Sequence, residues 1–116
     1  MAEPMALSYG ALVAAILVGA LGQLLLKAGA ERTSALAAQF LDPFTIVGLG
    51  VYALAAVLYI VAIKRIPISI AFPSVAISYA LVAVAAHFLW DEPIGWASLA
   101  GISLIAGGIV LLHISA

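Results

Sequence analysis

Residues 4–27 read PMALSYGALVAAILVGALGQLLLK, and the first charge in that run is Lys27 at its end. A hydrocarbon core of about 30 Å is crossed by roughly 20 residues at about 1.5 Å rise each. Lipid offers no partner for an exposed backbone N–H or C=O, so a stretch of this length and composition is helical and spans. Three more uncharged stretches follow, at Pro43–Ile63, Ile66–Trp90 and Pro93–Ala116. Each is long enough to cross, and none alternates apolar with polar as a transmembrane β-strand does. The expected architecture is an all-α integral membrane protein with four transmembrane helices, at about 5–30, 43–63, 66–90 and 93–114, forming a single domain over residues 1–116.

Composition agrees with that reading. Of 116 residues, 67% are hydrophobic and 8% charged, with a mean hydropathy of +1.33, far from the balance of a water-soluble domain. A net charge of −1 leaves no basic surface for nucleic acid. The absence of cysteine removes disulfides, thiolate metal sites and a cysteine nucleophile together. Met1–Pro4 carries no Lys or Arg, so the first apolar run lacks the basic flank of a cleaved signal peptide and is expected to be retained. There is no glycine-rich phosphate loop, activated nucleophile or inward carboxylate pair, which argues against an enzyme and calls for no cofactor. His87 has only Asp91 at i+4 and His113 stands alone, too few ligands for a metal site.

The connections carry the charges. Residues 27–42 form a partly amphipathic segment, whereas Lys64-Arg65 and Asp91-Glu92 are tight. Asp91 and Glu92 are placed to favour the N-terminus of the fourth helix, which Pro93 would open. Lys27 and Arg32 fall on one side of the membrane, and Lys64 and Arg65 on the other. Because Lys and Arg set orientation, this tie lets the same chain insert either way round and supply an antiparallel partner.

Polar and small residues mark candidate sites. Gly19, Gln23 and Lys27 recur every four residues on one face of the first helix, a stripe running from mid-membrane to an ammonium at the interface. Lys27 would otherwise snorkel to the interface or pair with Glu31, and Gln23 would bridge helices. In the third helix Pro73 removes one hydrogen bond and predicts a hinge, with Ser74, Ser78 and Tyr79 beside it. In the fourth, Gly101 and Gly108 lie seven apart and allow close backbone approach, a candidate dimer interface.

Several of these motifs are ordered as in a known group. Gly22-Gln23-Leu24-Leu25-Leu26-Lys27, Ile66-Pro67 with Ile70-Ala71-Phe72-Pro73, Leu89-Trp90-Asp91-Glu92-Pro93 and Gly107-Gly108-Ile109-Val110-Leu111 resemble the four-helix, EamA-like members of the drug/metabolite transporter superfamily. Among these the chain looks most like the small subunits of the 4-amino-4-deoxy-arabinose-phosphoundecaprenol flippase. The resemblance implies a dimerising protein of the bacterial inner membrane that moves an undecaprenyl-phosphate-linked sugar across the bilayer. Small multidrug resistance proteins are similar in length and helix order. They differ in carrying a glutamate where this chain has Gly19, a tyrosine at Phe72 and a tryptophan at Val75. Their glycine pair on helix 4 is matched by Gly101 and Gly108.

The expected function is therefore that of a lipid-linked-sugar flippase. Lys27, Lys64 and Arg65 can donate charge-assisted hydrogen bonds to a lipid phosphate, and Gln23, Ser74, Ser78 and Tyr79 can meet sugar hydroxyls. Lys64 and Arg65 also read as a topology-setting pair. Two alternatives are an exporter of small cationic solutes, and a non-transporting subunit of a glycolipid-modifying complex. Four helices enclose too little volume for such a path, so a homodimer, antiparallel if the orientation tie operates, or a heterodimer with a homologous subunit is expected.

Overall fold

The computed structural model describes residues 5–115; Met1–Pro4, on which the reading of the N-terminal flank rests, and Ala116 lie outside the described residues. In chain order the helices are α1 (Met5–Glu31), α2 (Leu36–Leu41), α3 (Pro43–Ala62), α4 (Ile68–Val75), α5 (Ile77–Trp90) and α6 (Trp96–Ser115). Taking α4 and α5 as one interrupted span, four helices are long and apolar enough to cross a membrane. Large apolar side chains such as Leu17, Val57, Phe88 and Leu104 face outward, while Ser8, Thr45, Ser74 and Ser78 are buried. This inversion of the soluble pattern follows from the solvent: lipid is as apolar as leucine, so association rests on close packing of small residues.

The seam between α1 and α3 shows how. On α1, the buried residues Ser8, Ala15, Gly22 and Gly29 recur every seven positions; on α3, Gly48, Ala55 and Ala62 do the same. A seven-residue repeat keeps one stripe facing its partner along two antiparallel helices. The stripe is so small that backbone meets backbone. A Cβ added at Gly22 would stand 3.2 Å from the Tyr52 nitrogen, and one added at Gly48 would stand 3.1 Å from the Leu26 nitrogen. At the far end of this pair, Ala11, Leu12 and Ile16 of α1 close over Ala62, Ile66, Ile70 and Ala71.

At the other end, Asp42 caps α3. Its carboxylate accepts the Phe44 N–H at 2.9 Å, and Pro43 occupies the first turn, where a missing N–H costs nothing. Arg32 donates to the same carboxylate at 2.8 Å and stacks over the Phe44 ring at 5.0 Å. Between them α2, within the connection read as partly amphipathic, exposes Leu36, Phe40 and Leu41. That is the behaviour of a short segment lying along the lipid boundary.

Two boundaries differ from the sequence reading. The third span starts at Ile68 and breaks at Ala76, three residues beyond Pro73. There the chain tightens: Ala76 N–H donates to the Pro73 carbonyl at 2.9 Å, and Tyr79 N–H to the Ala76 carbonyl at 3.0 Å. Ser74 and Ser78 donate to the carbonyls of Ile70 and Val75, both at 2.7 Å, which satisfies backbone groups beside the break. The fourth span starts at Trp96 rather than at Pro93. Asp91, in the left-handed conformation with φ of 53°, ends α5 instead of capping the next helix. Pro93 then holds Glu92 extended, and α6 begins only where Leu99 N–H reaches the Gly95 carbonyl. Helix α6 packs on α4 and α5 without burying any residue.

Candidate functional site: a cavity closed by an ion pair

A cavity of about 560 Å³ lies between α1, α3 and the broken third span. Gly19 and Gln23 line it from α1, Tyr52 and Tyr59 from α3, and Phe72, Ser78 and Tyr79 from the region of the break. The walls are largely aliphatic, with hydroxyl and amide groups at intervals, the composition of a site that holds a polar group within an apolar surround. At Gly19 the missing side chain leaves room: a Cβ there would meet Ala55 at an ordinary 3.7 Å. The Tyr59 hydroxyl is buried with no hydrogen-bond partner among the described residues.

Glu92 is the charged residue among those lining the cavity. It stands at the mouth, on the face where α1 ends, and Lys27 closes the contact from that helix. The Lys27 ammonium is 2.7 Å from Glu31 and 3.7 Å from Glu92. Glu92 is also fixed through its backbone. Its N–H reaches the Ala86 carbonyl at 3.4 Å, and its own carbonyl lies 2.8 Å from His87 Nδ1. A carbonyl can only accept, so this contact places the imidazole proton on Nδ1. His87 therefore holds the loop 91–95 rather than pairing with Asp91, and no cluster of three metal-ligating side chains occurs among the described residues.

The structure thus brings Gln23, Ser78 and Tyr79 to one cavity and sets Lys27 at its mouth. Ser74 is buried in its own helix outside that lining, and the hydroxyls of Ser74 and Ser78 both donate to backbone carbonyls. Lys64 and Arg65 follow the C-terminus of α3, at the opposite face of the membrane. Counting along α1 from the level of Leu12 to Lys27 gives about 22 Å between the two ends, so within one subunit these cations cannot meet the same phosphate. Pro73 and Gly108 share a shallower groove between α4 and α6. Around Gly101, Gly107 and Gly108 there is open space. Tyr52, Tyr59 and Glu92 were not singled out as site residues from the sequence. The seven-residue spacing of the two tyrosines was the available signal.

Comparison with known proteins gives this arrangement a family. A protein of Pseudomonas aeruginosa (strain UCBPP-PA14) named probable 4-amino-4-deoxy-L-arabinose-phosphoundecaprenol flippase subunit ArnE is 32% identical over 115 residues, which take in 95% of this chain and 100% of that one. The chain belongs to this flippase-subunit family. A probable subunit ArnF of Shewanella sediminis (strain HAW-EB3) is 41% identical over 86 residues, 71% of this chain and 59% of that protein. A probable subunit ArnE of Escherichia fergusonii is 37% identical over 65 residues, 56% of this chain. No protein-family model matches the chain, and no solved structure does. Within the flippase-subunit family, the multi-pass helical architecture and the cavity at Gly19 and Gln23 form the frame for a functional reading.

Proposed function

We propose that the chain is a subunit of a flippase that carries an undecaprenyl-phosphate-linked sugar, of the 4-amino-4-deoxy-arabinose type named for its relatives, across the bacterial inner membrane. The observation that carries this reading is the cavity, which reaches from the Gly19 level of α1 to the Lys27 face and ends there in charged groups. The polyprenyl tail stays in lipid. The head group enters at the mouth, where Lys27 offers a charge-assisted hydrogen bond to the phosphate, and passes along Gln23, Ser78, Tyr79 and Tyr59, whose polar atoms replace the water lost by the sugar hydroxyls. Because Gly19 supplies no carboxylate, exchange of protons for a cationic solute has no acid at that level of the cavity, and export of aromatic cations is disfavoured.

A single subunit is incomplete for this task. Lys64 and Arg65 serve the opposite face, and an antiparallel pair would set them beside Lys27 of the second subunit, so that each face holds cations from both. The exposed α6, with Gly101 and Gly108 free of neighbours, is the surface on which that second chain, identical or homologous, would pack. Reconstitution tests the reading. Vesicles holding the chain with its partner subunit are loaded with the labelled lipid in one leaflet, and its appearance in the other is followed. Lys27→Ala should slow transfer about tenfold or more and Lys27→Arg less. Equal rates for all three forms would remove Lys27 from the path.

A further inference from the structure

The charges at the cavity mouth do not suit a simple anion. On the Lys27 face, Arg32 is committed to Asp42 at 2.8 Å. That leaves one ammonium, Lys27, among Glu31, Asp91 and Glu92. Glu31 already holds Lys27 at 2.7 Å, while Glu92 reaches it only at 3.7 Å. A lone phosphodiester drawn to Lys27 would therefore meet an excess of negative charge, which opposes its binding. The excess would be offset if the same head group brought a positive charge of its own.

We infer that Glu92 is the specificity-determining residue of the cavity, accepting hydrogen bonds from an ammonium on the sugar while Lys27 takes the phosphate. This rests on the flippase reading above and deepens it, by assigning the site a zwitterionic head group rather than a neutral sugar phosphate. The geometry favours Glu92 over its neighbours. It alone among the three acids lines the cavity, and its backbone is fixed at both ends by Ala86 and by His87. The left-handed turn at Asp91, which ends α5, sets the direction in which the loop presents it. Such fixing lowers the entropy lost when a ligand binds. In the empty site Lys27 and Glu92 neutralise one another weakly across 3.7 Å. A zwitterion parts them and gives each a full partner, so the exchange needs no unpaired charge at any stage. A neutral amide in place of the amine leaves Glu92 desolvated and without its cation.

The test compares two lipids and three proteins. The full chain with its partner subunit, in lipid nanodiscs, is titrated with polyprenyl phosphate esters of 4-amino-4-deoxy-arabinose and of its N-acetyl derivative. Wild type should bind the free amine about tenfold or more tightly than the amide. Glu92→Gln should shrink that preference to less than about twofold by weakening the amine lipid alone, and Glu92→Asp should keep part of it. Lys27→Ala should weaken both lipids and preserve their ratio. The inference is overturned if Glu92→Gln weakens both lipids equally, which would reduce Glu92 to a support for Lys27, or if wild type binds amine and amide alike. If wild type binds neither lipid, the flippase reading falls first and the role of Glu92 falls with it.

Discussion

Gly48→Ala places one methyl group into the seam between α1 and α3, and its effect can be worked from the distances there. The new Cβ would lie 3.0 Å from Leu25 Cβ, 3.1 Å from the Leu26 nitrogen and 3.2 Å from the Gly22 carbonyl oxygen. Carbon contacts relax at about 3.5–4.0 Å, so α1 must retreat by about 0.5 Å or more, and neighbouring pairs lose a quarter or more of their dispersion attraction. Two of the three atoms are backbone and cannot rotate aside. Overpacking of this kind costs about 1–3 kcal/mol. Against it stands a gain of about 1 kcal/mol from replacing glycine by alanine in a helix. Gly50→Ala isolates the steric cost, because it shares the helix and the propensity gain but has nothing within 4 Å of its Cβ. The expected result is that Gly48→Ala is less stable than Gly50→Ala by about 1–3 kcal/mol. Reversible unfolding in mixed micelles at rising dodecyl sulfate fraction, followed by far-ultraviolet circular dichroism, measures both. Unfolding free energies that agree within about 0.5 kcal/mol would refute the claim that backbone contact holds this seam.

Three other outcomes are expected. Tyr59→Phe removes a buried hydroxyl that has no partner, so stability should hold or rise slightly, while lipid transfer should fall several-fold if that hydroxyl meets the sugar; unchanged transfer would mark Tyr59 as wall only. Pro73→Ala restores a backbone donor and should straighten the third span, slowing transfer while leaving assembly intact, and a fully active variant would show that the bend is not needed. Gly101→Leu and Gly108→Leu, each filling open space on α6, should weaken association of subunits without unfolding the chain. Unchanged crosslinking in both variants would move the interface off this helix.

The four spans were legible because each apolar run is long and ends in a charge or a proline. Local chemistry gave less. Pro73 announces a disturbed third span, but where the chain yields depends on which neighbours accept the displaced bonds, and that is Ala76. The three-residue delay before α6 arises from the left-handed Asp91, which no spacing encodes. The repeat Ser8, Ala15, Gly22, Gly29 was present to be read, yet small residues at intervals of seven mean a seam only once Gly48, Ala55 and Ala62 are known to face them. In the site, Gln23, Ser78 and Tyr79 follow from polar groups on apolar helices. Glu92 reads in the sequence as an interfacial helix cap, and its place at the cavity depends on the loop 91–95 folding over the end of α1. Lys64 and Arg65 share a sign with Lys27 but not a face of the membrane.

The contrast between the two halves of the subunit also has a mechanical side. Where two helices touch through their main chains there are no rotamers to reset, so α1 and α3 behave as a single stiff strut. Compliance is left to the other half, at Ala76. The segment beyond that point, α5, has 14 residues and so is a lever arm of about 21 Å. Swinging it by about 15° would carry its Trp90 end roughly 5 Å sideways. That end bears Glu92, and such a stroke is longer than the 3.7 Å that separates its carboxylate from Lys27. A small rotation in mid-membrane is thus converted into the parting of two charges at the water's edge.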